Sequence, residues 1–84
     1  MKTQKTYGLT AQRLGDYFNA ESAFSARGGG WAYKDCEITV TPLEPQRFSG
    51  VVVVPRTAVS VEGDARQAAE MFDMLFIRFL SVGG

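Results

Sequence analysis

The apolar spacing at the end of this 84-residue chain predicts one long helix from Asp64 to Val82, stopping at Gly83-Gly84. At about 100° per residue, Ala68, Ala69, Met71, Phe72, Leu75, Phe76, Phe79 and Val82 form an arc wider than the roughly 100° stripe of a surface helix. Arg66, Glu70 and Asp73 hold the opposite side, but Ile77 interrupts it and Met74 and Leu80 lie at its margins. One sheet covers only part of such a helix. The excess predicts a second contact surface, with another copy of the chain as its simplest occupant.

A chain of this length organises a single domain, residues 1–84, around one core. It buries roughly 60% of the surface its unfolded chain exposes, and oligomerisation is a common source of extra stability at this size. Lys plus Arg and Asp plus Glu balance at nine each. A neutral domain lacks the basic field that drives phosphate-backbone binding, so nucleic acid is not expected as a partner. No apolar run reaches the ~20 residues of a membrane span, and the N-terminus has no signal-peptide core. The expectation is a cytoplasmic protein that engages no membrane. Cys36 is the single cysteine and histidine is absent, which removes the intrachain disulfide, the commonest general base and the commonest metal ligand. No cofactor and no catalytic activity are expected.

Residues 2–9 are polar, Thr-rich and short, as an edge strand or ordered arm would be. Thr10 suits a helix N-cap, with Leu9 and Leu14 placed as a hydrophobic staple. The helix then runs from Ala11 to about Phe24, and Gly15 costs it about 1 kcal/mol relative to Ala. Gly28-Gly29-Gly30 reads as a flexible helix-to-strand connection, and Trp31 opens a strand. Cys36, Ile38 and Val40 alternate with Glu37, Thr39 and Thr41. Trp31 and Tyr33 have the opposite parity, which calls for a bulge near Lys34-Asp35 or for two rings on the outer face. Pro42 and Pro45 bracket an expected turn, and Arg47 to Val54 reads as a central strand covered on both faces. Pro55-Arg56 then gives a turn or bend. Thr57 to Glu62 alternates again, and Asp64 caps the last helix. The expected fold is an α+β two-layer sandwich: a three- or four-stranded antiparallel sheet, two helices on one face, in the order (β)-α-β-β-β-α.

Several residues invite a functional reading. Cys36 lies between Asp35 and Glu37 with no histidine to activate it, so it reads as a small apolar core residue. The acids Asp35, Glu37, Glu44, Glu62, Asp64, Glu70 and Asp73 show no metal-ligand spacing. Arg27 and the glycines after it reverse the strand–loop–helix order of a phosphate cradle, yet Arg27, Trp31 and Tyr33 can line a small-ligand or peptide patch. The helix–three strands–helix order is similar to that of double-stranded RNA-binding domains. Asp64-Ala65-Arg66-Gln67-Ala68-Ala69-Glu70, however, is no phosphate clamp. The terminal Gly83-Gly84 resembles the activated end of ubiquitin-like and sulfur-carrier proteins, which would make its carboxylate the reactive group. The leading expectation is a non-catalytic module that homo-oligomerises or binds a protein through Met74, Ile77, Arg78 and Leu80.

Overall fold

The computed structural model describes the backbone of residues 2–83 and the side chains of residues 2–79. The Thr-rich N-terminus forms strand β1 (Lys2–Tyr7), followed by helix α1 (Ala11–Ala20). Four strands come next, β2 (Ser25–Arg27), β3 (Gly30–Tyr33), β4 (Cys36–Arg47) and β5 (Val53–Glu62), and then helix α2 (Ala65–Gly83). The strands make one five-stranded sheet in the order β1-β5-β4-β3-β2, with every neighbouring pair antiparallel. The class is α+β as expected, but the sheet is larger than three or four strands. The strand the sequence did not suggest is β2, which lies between the expected end of the first helix near Phe24 and the glycines at 28–30.

Both helices start where the caps predict. The Thr10 hydroxyl accepts from the Arg13 amide at 3.1 Å, and the Asp64 carboxylate accepts from the Gln67 amide at 2.9 Å. Each satisfies one of the orphan N–H groups of a first helical turn. Leu14, Tyr17 and Phe18 from α1 and Ala68, Met71, Phe72 and Leu75 from α2 bury against Tyr33, Cys36, Ile38, Val59 and Val61 of the sheet. The core thus lies between one sheet face and both helices.

Two glycine positions correct the reading of the middle of the chain. Gly28 and Gly29 both take positive φ, 53° and 84°, and join the Arg27–Gly30 pair as a two-residue hairpin turn of the type that needs such angles. The Gly-rich segment is a tight hairpin rather than a flexible link to α1. Gly30 itself packs under the backbone carbonyl of Ile38, with no room for a Cβ. A second two-residue turn at Lys34-Asp35 sets Tyr33 opposite Cys36 and Trp31 opposite Ile38. Residues opposite one another in an antiparallel pair share a face. Trp31 and Tyr33 therefore face the helices, with neither a bulge nor an outward ring pair. Gly15 lets α1 approach this surface, since a Cβ there would meet the Trp31 ring at 3.3 Å.

The largest correction concerns residues 42–56. The chain does not turn at Pro42 to Pro45 or at Pro55-Arg56. Instead β4 runs through to Arg47 and β5 begins at Val53, with an irregularity in register between Leu43 and Gln46. The turn lies at residues 48–52, closed by the Phe48 amide donating to the Val52 carbonyl at 2.9 Å. β1 ends at Tyr7 opposite Thr57, and the β3 pairing reaches Trp31 opposite Ile38. Beyond those points β4 and β5 continue as a two-stranded arm. Each arm strand has one open edge, which is where a proline without an N–H is tolerated. Val51, Val52 and Val53 sit on this arm and are exposed, Val51 at 89%; they are not a covered central strand. Phe76, counted within the buried arc, is also exposed. It lies one turn beyond Phe72 on the β1 side of α2, where the sheet ends.

Gly30→Ala should cost roughly 2–4 kcal/mol in urea-induced unfolding, because the added methyl meets fixed backbone rather than a movable side chain. Gly50→Ala, where nothing lies within 4 Å, should stay within about 0.5 kcal/mol of the parent.

Candidate binding surface

Several of the residues that could carry chemistry hold elements together. At the start of α2, Gln67 Oε1 accepts from the Asp35 amide at 3.1 Å. The buried Cys36 Sγ lies 3.4 Å from the Asp64 carbonyl oxygen and 3.7 Å from Gln67 Oε1. Both neighbours are acceptors, so the thiol acts as a weak donor that ties β4 to the helix start. One turn on, Glu70 Oε1 accepts from Lys34 Nζ at 3.0 Å and from the Tyr33 hydroxyl at 3.3 Å. The Lys34 hydrogen bond and charge hold the Glu70 carboxyl below its ordinary range, and the same contact raises the Lys34 ammonium. The pair is solvated and contributes little to stability. Its geometric effect is to latch the β3–β4 turn onto α2.

On the sheet face away from the helices, Lys2, Glu62 and Glu37 form a row across β1, β5 and β4. Among the described residues, no three His, Cys, Asp or Glu side chains group so as to hold a metal ion.

The proposed ligand patch divides in the structure. Tyr33 is buried and Trp31 is half-buried. The Trp31 ring packs on Phe18 at 5.2 Å between centroids, and its indole N–H donates to Asn19 Oδ1 at 2.9 Å. Arg27 stands exposed on the edge strand β2. The two rings belong to an aromatic cluster with Tyr17, Phe18 and Phe24. Of the terminal glycines, Gly83 falls within α2 and Gly84 lies outside the described residues.

Exposed apolar surface gathers in two places. On α2, Phe76 and Ile77 are 61% and 71% exposed, beside the half-buried Met74 and the exposed Arg78. Met74, Ile77 and Arg78 share a shallow depression with Tyr17 and Glu21 of α1. The Leu80 side chain lies outside the described residues. The second place is the arm, where Phe48 is 64% exposed beside Val51, Val52 and Val53. Reading the valine run as a central strand hid the arm from the sequence. The signal that would have found it is Ser49-Gly50, a turn dipeptide between two runs of strand-forming residues. No helix among the described residues is long and apolar enough to cross a membrane. The chain matches no family model and no curated protein sequence.

Tyr7 supplies a pH test of the packing at the β1 end. Burial pushes its hydroxyl up to about 12 from an ordinary 10.0. As pH rises past about 10 the unfolded chain loses this proton while the folded chain keeps it, so stability falls between about pH 10 and 12. Tyr17 is raised as well, mainly by burial, and acts in the same direction. Tyr7→Phe should flatten the alkaline decline in thermal unfolding midpoint measured from pH 9 to 12, without abolishing it.

Proposed function

We propose that this chain is a non-catalytic binding module that associates through the outer surface of α2, around Met74, Ile77, Arg78 and Leu80. The observation that supports this is the exposure of two adjacent large apolar side chains, Phe76 and Ile77. They sit in the second half of a helix whose opposite side fills the core. A single exposed apolar residue is ordinary on a protein surface, but a contiguous patch with a neighbouring depression marks contact sites. Arg78 at its margin adds a residue type enriched at the centre of interfaces. Asp64, Glu70, Cys36 and the rings of Tyr17, Phe18, Phe24, Trp31 and Tyr33 already hold elements together, which supports association over chemistry at those groups.

Light scattering on a sizing column, over a range of loading concentrations, tests this reading. Association is expected, and Ile77→Asp should weaken it by about 1–3 kcal/mol, roughly 5- to 150-fold in dissociation constant. Unchanged association in both Ile77→Asp and Leu80→Asp would place the contact elsewhere.

A further inference from the structure

We infer that the partner is a second copy of this chain, and that the β4–β5 arm of each copy seats on α2 of the other. This rests on the proposed use of α2 for association and adds both the occupant and its mode of binding. The large apolar side chains exposed among the described residues are Phe48, Val51, Val52 and Val53 on the arm and Phe76 and Ile77 on α2. Within one copy neither patch covers the other. The arm continues the β4–β5 ladder past its flanking strands, so its apolar side chains lie beyond the cover of the sheet's own layers and stay exposed.

Area and symmetry select the arrangement. Neither patch by itself, four side chains on the arm or two on α2, approaches the about 800 Å² per partner of a standard stable interface. In a twofold contact, any residue pair formed once is formed twice. Arm on helix therefore covers both patches on both copies with one symmetry operation. Charge agrees with this pairing. Arg47 and Arg56 flank the apolar part of the arm, while Asp73 lies one turn before Phe76 and Ile77; all three are exposed. On the arm itself Arg47 and Arg56 have only Glu44 as an opposite charge, so an arm-on-arm contact is the less complementary pairing.

The test uses full-length chains with Cys36→Ser, each carrying one new cysteine, Val52→Cys or Ile77→Cys, and a tag that separates them by mass. Copper-phenanthroline serves as the oxidant, taking two electrons from a thiol pair as the disulfide forms. The mixture should yield a cross-linked dimer containing one chain of each kind, several-fold above either chain alone. Preferential cross-linking of Val52→Cys with itself, or of Ile77→Cys with itself, would overturn the arm-on-helix arrangement. In the parent background, Val52→Asp should weaken self-association at least tenfold, with the far-UV spectrum and unfolding midpoint preserved. If Ile77→Asp disrupts association and Val52→Asp does not, the arm inference fails while association through α2 stands. A chain that remains monomeric at every concentration, or associates unchanged by either substitution, removes both.

Discussion

The antiparallel pairing of β4 with β5 is the interaction on which every other element depends. It runs from Glu37 opposite Glu62 out to Arg47 opposite Val53, broken once between Leu43 and Gln46. β1 is added along β5, β3 along β4, and β2 along β3, so none of these has a place until the central ribbon exists. One half of the ribbon is flanked by strands and roofed by both helices, and supplies Ile38, Val59 and Val61 to the core. The other half has outrun its neighbours and stands as the arm. The same pair of strands thus supplies the buried centre of the domain and its most exposed apolar surface. The arm contributes to a long axis of 43 Å against 24 and 20 Å in the other directions.

The two ends of the sheet are treated differently. Where β5 passes into α2, Asp64, Gln67, Asp35 and Cys36 interlock through backbone and side-chain contacts, and Lys34, Tyr33 and Glu70 latch the adjacent turn. This polar end uses Cys36, Asp64, Glu70 and Tyr33, four of the groups that the sequence nominates for chemistry. The aromatic cluster of α1 and β3 fills the space between the helices and the sheet, and Phe79 joins it by packing edge-on to Tyr17 at 5.5 Å. Lys5 reaches over the Phe72 ring, its Nζ 4.9 Å from the centroid. That contact covers one side of α2 with a cation, while Phe76, one turn further, is 61% exposed. An ordered polar end and an under-covered apolar end together favour the association proposed above.

Sequence reading served best where the signal was local. A cap oxygen three residues before the amide it binds, as in Thr10 with Arg13 and Asp64 with Gln67, needs nothing from the rest of the chain. The alternation at Cys36, Ile38 and Val40 and at Val59 and Val61 likewise assigned the inner face of the sheet. The proposed contact surface was legible in part, since Ile77 broke the polar side of the helical projection and is exposed. Phe76 was missed because the projection places a residue around the helix axis but says nothing of where the sheet beneath it stops. Trp31 and Tyr33 had the right character for core residues, but an unrecognised two-residue turn reversed their apparent parity.

By itself the sequence determined the α+β class, the two helices with their caps, and which side of each regular strand prefers burial. These follow from periodicity and short-range hydrogen bonding, which the chain specifies within a few residues. The tertiary structure alone decided the number of strands, the sites of the hairpin turns and the fate of the Val51-Val52-Val53-Val54 run. A β-branched run records only a preference for pleated, covered backbone. Whether it is covered depends on how far neighbouring strands extend, here on β1 ending at Tyr7 and the β3 pairing at Trp31. Those limits are set by partners distant in sequence. The same valines that would fill a central strand under longer neighbours therefore stand exposed on an arm.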